Sequence, residues 1–248
     1  MIMRRLKNNP MLNQLDIYLR NSDISTLYSD LGIKLHGFIM SKIDTDYAEL
    51  LHTQEPRPFS LFVYDSGNGF ACRVSTLNDE AVQIIDAIAN TEKIKVYGID
   101  KPLTVEKISR ANPLNAADIP GILSKNKYTA DIVTPATRKT SGEYTNPPDL
   151  CKYFGSVANK LKVYENISIE NSELETLFAN IKMSRYIFES KHYMLGGKHI
   201  ASMTGSFDIT INADREQTNK IKLILGYATY CGVGAKTSLG MGGFLVRT

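Results

Sequence analysis

The sequence predicts an α+β protein made of two tandem ferredoxin-like (RRM-like) βαββαβ domains. Short runs rich in β-branched and aromatic residues alternate with amphipathic helical patterns along the 248 residues. The order strand, helix, strand, strand, helix, strand occurs twice, which is the ferredoxin-like arrangement. We expect an N-terminal domain over 1–125 and a C-terminal domain over 126–248. The two halves share no visible sequence identity, so only the pattern repeats.

The first round of elements begins with a strand at 15–19 and a helix at 26–43. Asp23 and Ser25 are candidate caps for this helix, because their side chains can accept hydrogen bonds from its first N–H groups. The remaining elements are a short helix at 46–52, a hairpin of strands at 59–64 and 69–75, a helix at 79–90, and strands at 94–97 and 103–109.

The second round of elements contains the strongest hairpin signal of the chain. Two long strand-like runs, at 182–193 and 200–211, are joined through Gly196-Gly197. The other elements are a strand at 128–133, a loop at 134–148 rich in Pro, Thr, Asn and Gly, an amphipathic helix at 149–164, another at 216–230, and a last strand at 244–246.

Composition excludes several classes of protein. Apolar residues make up 43% and charged residues 22%, as in ordinary globular proteins. No apolar run approaches the roughly 20 residues of a membrane span, and the N-terminal residues lack a signal-peptide core, so we expect a cytoplasmic protein without a membrane partner. Cys72, Cys151 and Cys231 are odd in number and far apart, so neither a disulfide framework nor a structural zinc site is predicted. We expect no cofactor.

A glycine-rich segment near the last strand, residues 232–242, is the most informative motif; we call it the glycine loop. It differs from a P-loop and from the dinucleotide-binding fingerprint in both spacing and context, because it runs from a helix to a strand. Dense glycines can bring backbone N–H groups close to an anion, so the loop favours binding of phosphate or RNA. The alternative is a turn that lets the last strand pack closely. The candidate RNA-binding residues are Gly232, Gly234, Lys236, Thr237, Ser238, Gly240 and Gly242.

A second candidate RNA-binding surface lies in the hairpin. Lys182, Arg185 and Lys191 stand in the stretch 182–199, where Glu189 is the single acidic residue. Such a cluster suits a polyanion, although a solvated strand edge has the same composition. Another basic stretch occupies 125–139. Aromatic residues interleaved with the hairpin charges, namely Tyr186, Phe188 and Tyr193, could stack on bases or lie in the core.

The glycine loop resembles the C-terminal signature of the repeat-associated RNA-binding proteins of CRISPR systems. Within that superfamily the chain is most similar to the endoribonucleases that cut precursor CRISPR RNA within its repeats. The loop from Thr134 through Gly142 and Tyr144 to Pro147-Pro148 is similar to their inter-domain segment. Further similarity lies in the runs Leu35-His36-Gly37-Phe38-Ile39-Met40, Leu50-Leu51-His52 and Pro56-Arg57-Pro58-Phe59-Ser60-Leu61-Phe62.

The resemblance implies a reaction that needs no metal. The 2′-hydroxyl of the RNA attacks the adjacent phosphate and leaves a 2′,3′-cyclic phosphate and a 5′-hydroxyl. The family pattern implies His52 as the principal catalytic residue and Arg57 as the residue that stabilises the phosphate. Some members have a tyrosine on the first helix where this chain has Met40, and His36 could fill that role. CRISPR repeat RNA is the implied partner, with a CRISPR effector complex and a homodimer as further candidates.

The residue types suit this chemistry independently of the resemblance. Histidine can accept and donate protons near neutral pH, and a cation can stabilise the phosphorane. A bend between the first two helices could bring His36 and His52 to one site, with Lys42 and Arg57 as the cations. His36 could equally be a partly buried core histidine. Nearby acids are predicted to cap and solvate the short helix rather than to hold a metal: Asp44, Asp46 and Glu49.

Two rival functions remain open at this point. A non-catalytic RNA-binding subunit of a CRISPR effector complex would share the fold and the glycine loop. An unrelated ferredoxin-like nucleotide or metabolite enzyme would bind a small molecule and show no preference for repeat RNA.

Overall fold

The computed structural model describes residues 11–20, 31–67, 69–146 and 149–247. Several features predicted above lie outside these ranges. They are the candidate caps Asp23 and Ser25, the first five residues of the helix at 26–43, and the pair Pro147-Pro148.

The first sheet is antiparallel and has the strand order β2-β3-β1-β5-β4, with β6 paired to β1. Its helices α1 and α3 bury apolar side chains against one face of the sheet. The elements are β1 (Met11–Leu19), α1 (Leu31–Met40), α2 (Thr45–Thr53), β2 (Phe59–Asp65), β3 (Phe70–Thr76), α3 (Val82–Ile88), β4 (Lys93–Ile94), β5 (Leu103–Arg110), β6 (Leu114–Asn115) and α4 (Ile119–Ile122).

The second sheet is also antiparallel, with the order β10-β11-β7-β12, and a small hairpin of β8 and β9 stands beside it. Gly196 and Gly197 both adopt positive φ in the turn between β10 and β11, which confirms the predicted hairpin. The elements are β7 (Lys127–Ala136), β8 (Arg138–Thr140), β9 (Glu143–Thr145), α5 (Leu150–Lys160), α6 (Asn171–Ala179), β10 (Ile181–Leu195), β11 (Lys198–Ile211), α7 (Arg215–Cys231) and β12 (Phe244–Arg247).

Both sheets arrange their four principal strands in the same way. If the strands of each round are numbered in chain order, both sheets read second, third, first, fourth. That order with antiparallel pairing is the ferredoxin-like topology, so the predicted fold class is confirmed. None of the helices in the described ranges is long and apolar enough to cross a membrane.

Helix α7 lies between the two halves of the molecule. One side packs against α4, α5 and α6, and the other contacts β1, β2 and β3 of the first sheet. Gln14 Nε2 donates to the Thr229 carbonyl at 3.5 Å, and Ser60 Oγ donates to the Tyr230 carbonyl at 2.5 Å. All residues from 221 to 228 are buried. The amphipathic pattern at 216–230 therefore underestimates the burial of this helix.

The structure differs from the predicted elements at several points. The strand expected at 94–97 is paired only at Lys93–Ile94. The loop expected at 134–148 contains the end of β7 and the β8–β9 hairpin, whose turn uses the positive φ of Ser141 and Gly142. Helix α6 was not predicted, and α5 ends in a π-helical turn at Leu161–Glu165.

The two cores do not divide at a single point of the sequence. Ala116 and Ile119 precede residue 125 but belong to the core of the second half. Leu12 and Leu77 also pack there, at the end of the first sheet. These apolar contacts join the two halves of the chain across residue 125. A domain boundary near that residue stays a prediction.

Candidate active site

The glycine loop leaves α7 and returns to β12 through very close backbone contacts. A Cβ at Gly234 would lie 2.2 Å from the Thr137 carbonyl oxygen, and one at Gly242 would lie 2.0 Å from the Val233 carbonyl oxygen. Both glycines also have positive φ. Neither contact leaves room for a side chain, so glycine is required at both positions.

The main-chain donors of this loop are largely used within the protein. Gly232 donates to the Ala228 carbonyl at 2.8 Å, Gly234 to the Tyr153 carbonyl at 3.1 Å and Gly242 to the Pro135 carbonyl at 3.0 Å. The expectation that these N–H groups approach a phosphate is therefore wrong for these three glycines. They provide close packing, which was the alternative interpretation. An RNA contact by the rest of the loop, including Lys236, Thr237, Ser238 and Gly240, stays a prediction.

The loop docks against helix α1 of the first half. A Cβ at Gly240 would lie 2.6 Å from the Cα of Gly32. The Tyr193 hydroxyl donates to the Leu239 carbonyl at 2.6 Å. The sequence left two roles open for Tyr193, stacking on a base or packing in the core. Tyr193 is buried, so it packs in the core. These contacts fix the short 3₁₀ turn Thr237–Leu239 beside α1.

A buried lysine that the sequence reading missed holds the base of the loop. Lys160 Nζ donates to the Cys231 carbonyl at 2.6 Å and to Thr237 Oγ1 at 2.7 Å, and the residue is 6% exposed. Burial lowers the pKa of this amine, against a smaller opposing effect of Cys231 and Glu55. The sequence signal for a buried lysine was the position of Lys160 on the apolar face of the predicted helix at 149–164.

His36, Arg57 and Ser238 meet where α1, the segment after α2 and the glycine loop converge. The His36 ring is stacked on Phe59 with centroids 5.9 Å apart and an interplanar angle of 5°. Arg57 Nη1 donates to Ser238 Oγ at 3.1 Å. Within the described residues, the buried His36 Nδ1 and Arg57 Nε have no hydrogen-bond partner. A buried polar atom without a partner is costly, so a water molecule or a polar ligand at these two atoms would be favourable.

The His36 imidazole is kept neutral by its surroundings. Burial is the largest cause that lowers its pKa, from 6.5 to about 4, and the Arg57 and His52 charges act in the same direction. A hydrogen-bond interaction with the Ser238 main chain opposes this shift. His36 therefore stands at neutral pH as a proton acceptor beside a fixed cation.

His52 and Lys42, the other two predicted catalytic residues, lie on or next to α2 and α1. His52 is exposed in the last turn of α2, although its charge acts on His36. Lys42 follows the end of α1, with its ammonium 5.4 Å from the centroid of the Phe38 ring. Their catalytic roles stay predictions. Asp44 caps α2 by accepting from the Asp46 N–H at 2.9 Å, as its position suggested.

The basic hairpin presents its charges on the edge strand β10. Arg185 has a φ of 43° at a bulge and donates from Nε to Asp208 Oδ2 at 2.7 Å. Lys191 Nζ lies 2.6 Å from Glu189 Oε2. Lys182 is exposed. Exposed ion pairs of this kind are weak, so these cations can still meet a polyanion. Of the other hairpin aromatics, Phe188 packs against the core, whereas Tyr186 is 61% exposed.

A cavity of about 500 Å³ opens beside Arg57 and Ser238, and we call it the basic cavity. Its walls include Arg138, Lys139, Tyr144 and Lys152, which the sequence reading did not select as site residues. The signal for Arg138 and Lys139 was the basic stretch at 125–139. Because 134–148 was predicted to be a loop, the β8–β9 hairpin that carries Arg138 and Lys139 was not predicted.

Comparison with known proteins shows which family the chain is similar to. The family description "CRISPR-associated endoribonuclease Cas6" matches residues 131–244. A protein of that name from Streptococcus thermophilus is 26% identical over 221 residues, which cover 86% of this chain and 90% of the relative. One from Mycobacterium tuberculosis is 28% identical over 243 residues, covering 94% of this chain and 76% of the relative. The chain is thus similar to the Cas6 endoribonucleases along most of its length.

Solved Cas6 structures share the fold of the whole chain. A Cas6 product complex matches with a TM-score of 0.78 at 18% identity, covering 96% of this chain and 100% of that one. Thermus thermophilus Cas6 matches with a TM-score of 0.71 at 18% identity, covering 96% and 99%. These likenesses support the two tandem ferredoxin-like domains of this protein.

Metal ligands do not cluster in the part of this protein that the structure describes. No three His, Cys, Asp or Glu side chains there converge in a way that could hold an ion. Cys72 and Cys231 are buried, Cys151 is half-buried, and all three are free thiols.

Replacing Gly242 with alanine should destabilise the protein strongly. The new Cβ would collide with the Val233 carbonyl, so we expect a loss of roughly 3 kcal/mol in the free energy of unfolding, measured by urea denaturation. Gly142→Ala is the matched control, because Gly142 also has positive φ but no atom lies within 4 Å of its Cβ. The control should lose about 1 kcal/mol. Equal losses would contradict the packing role of Gly242.

Burial of neutral His36 should make stability depend on pH below neutrality. The unfolded chain takes up the proton near pH 6.5, whereas the folded chain does so only near pH 4. The contribution is therefore complete above pH 6.5 and is lost as the pH falls towards 4, by up to about 3 kcal/mol. Denaturation across this range should show a shallower dependence for His36→Phe, and the unchanged wild-type dependence for the exposed control His192→Phe. An NMR titration of His36 near pH 6.5 would refute the shift.

Proposed function

We propose that this protein is a metal-independent endoribonuclease of the Cas6 kind, which cleaves precursor CRISPR RNA within its repeats. The 2′-hydroxyl next to the scissile phosphate attacks the phosphorus, and the bond to the 5′-oxygen breaks. The products are a 2′,3′-cyclic phosphate and a 5′-hydroxyl. Curated relatives bear the name CRISPR-associated endoribonuclease, and one structural neighbour is a product complex, which supports this class of substrate and reaction.

The observation that carries the proposal is the convergence of His36, Arg57 and Ser238. A neutral imidazole with an unpartnered Nδ1 stands beside a guanidinium with an unpartnered Nε, and both atoms are buried. A phosphodiester between them could accept a hydrogen bond from Arg57 while His36 faces the 2′-hydroxyl. Such an arrangement supplies a proton acceptor and a preorganised positive charge at one point.

We assign the proton acceptor to His36 and the proton donor to His52. His36 is neutral at pH 7, so it is ready to take the proton of the attacking 2′-hydroxyl. His52 is exposed, and its charge acts on His36, so we assign to it the protonation of the leaving 5′-oxygen. Arg57 would stabilise the phosphorane, with Ser238 holding the guanidinium in place. Lys42 stays a candidate second cation.

RNA outside the reacting phosphate would lie on basic side chains of the second half. Lys236, Thr237 and Ser238 belong to the glycine loop, and Lys182 and Arg185 belong to the exposed edge strand. The glycines of the loop would act through its shape. Delivery of the product to a CRISPR effector complex, a homodimer, a cytoplasmic location and a domain boundary near residue 125 belong to the same proposal.

The proposed reaction is tested by cleavage of end-labelled repeat RNA from the same genome in EDTA. We expect a single cut that a 2′-deoxy substitution at the scissile nucleotide abolishes, and products that carry a cyclic phosphate. His36→Ala and His52→Ala should each slow the cut by about 10²–10⁴-fold, because each removes one proton transfer. His192→Ala, an exposed histidine in the hairpin, is the matched control. Tight binding without a cut would support an RNA-binding subunit instead.

The two histidines are distinguished by a substrate with sulfur in place of the leaving 5′-oxygen. A thiolate leaves without a proton, so the loss of a general acid no longer matters. This substrate should restore most of the rate of His52→Ala and leave His36→Ala slow. The opposite result would exchange the two assigned roles.

A further inference from the structure

The basic cavity lies where four segments of the chain meet. It is bounded by the segment from Glu55 to Arg57, by the β8–β9 hairpin, by helix α5 and by the glycine loop. Its volume of about 500 Å³ falls in the range of small-molecule and nucleotide sites. Of His36, Arg57 and Ser238, the last two also line the cavity. The cavity is therefore a neighbour of the His36 site and shares one wall with it.

The charge of the cavity wall favours an anion. Among the described residues that line the cavity, Glu55 is the single acidic one, and the basic ones are Arg57, Arg138, Lys139, Lys152, Lys160 and Lys236. Lys152 is paired with Asp149 at 3.1 Å, in an exposed pair of the kind that contributes little. Basic side chains gathered around a concave surface raise the local positive potential and attract phosphate.

Two lysines keep the glycine loop against the cavity. Lys236 adopts a left-handed backbone with φ of 61°, which is unfavourable for a residue with a side chain. Lys160 is buried at the floor, where it fixes the loop that carries Lys236. The strained lysine and the buried lysine together keep the loop against the cavity.

An aromatic side chain in the cavity wall favours a nucleotide over a simple phosphate as the ligand, because a base can stack on it. Tyr144 of β9 lines the cavity half-buried, and Lys139 Nζ lies 5.9 Å from its ring centroid. Ser156 and Asn159 add hydroxyl and amide groups to the α5 wall. Cations along a groove with an aromatic platform are the combination that binds single-stranded nucleic acid.

We propose that the basic cavity is a second RNA subsite, which holds one unpaired nucleotide adjacent to the scissile phosphate. Tyr144 stacks on its base, and Arg138, Lys139 and Lys236 bind its backbone phosphates. This inference rests on the proposed function, because it takes the RNA to continue from the His36 site past Arg57. It assigns to the β8–β9 hairpin the task of holding one flank of the cleaved strand.

The charge part is tested with Arg138→Ala/Lys139→Ala and a repeat RNA made uncleavable by a 2′-deoxy at the scissile nucleotide. Loss of two phosphate contacts should weaken binding about tenfold and make the slope of log Kobs against log salt less negative by roughly 1.4. Lys93→Ala/Lys101→Ala removes two exposed cations at the opposite edge of the first sheet and should change neither value. An unchanged salt slope in the hairpin variant would overturn the proposal.

The aromatic part is tested with Tyr144→Leu against Tyr144→Phe. The leucine variant should bind roughly tenfold more weakly, whereas the phenylalanine variant keeps the stacking surface and should bind like the wild type. Equal melting temperatures of both variants would show that folding is intact. Wild-type affinity of the leucine variant would remove the base from the cavity and contradict the proposal.

Truncated RNAs locate the nucleotide and separate this inference from the proposed function. We expect wild type to lose affinity when the nucleotides on one side of the scissile phosphate are removed, and Arg138→Ala/Lys139→Ala to lose no more. Additive losses with truncation on either side would place the cations elsewhere and overturn the subsite. A wild type that neither binds nor cuts repeat RNA would instead overturn the proposed function itself.

Discussion

The burial of α7 between the two halves is the constraint on which the rest of this structure depends. Its carbonyls accept from Gln14 and Ser60 of the first sheet, and its other side fills the core of the second half. A Cβ at Gly226 would lie 2.3 Å from Ile119 Cγ2, so α4 also approaches the helix closely. Because α7 is held from both sides, the loop that follows it reaches α1 at a defined place.

Electrostatics at the site follow from the same burial. The segment after α2 brings Arg57 to the loop, and the guanidinium and the low exposure both disfavour a charged His36. A buried Lys160 adds a second cation behind the loop. Burial and the nearby cation keep the imidazole neutral, and a bound phosphodiester would offset the positive charge of the Arg57 guanidinium.

Most of the fold could be predicted from the sequence because its elements carry strong local signals. The hairpin through Gly196-Gly197 has the turn residues and the strand pattern that its structure needs. Helix α6 and the β8–β9 hairpin were missed because the first follows an irregular π-helical turn and the second is short and rich in loop formers. Chain pattern alone also gives no measure of how far a helix such as α7 is buried on its second side.

The candidate site could be predicted only in part. His36, Arg57 and Ser238 were selected by residue type and motif, and they do converge. Sequence could not show that the glycines use their N–H groups internally, because that depends on which backbone lies opposite. Lys160 and Tyr144 gain their positions from contacts between segments far apart in the chain, which no local pattern records.

The hydrogen bond from Arg57 to Ser238 joins residues 181 positions apart in the chain. During synthesis, therefore, His36 and Arg57 leave the ribosome long before the segment that completes their surroundings. A nascent or truncated chain that stops short of Ser238 has the histidines but lacks the wall that orients Arg57. Cellular RNA is thus exposed to the assembled group only once both halves have folded onto α7, and the order of translation itself delays activity until the fold is complete.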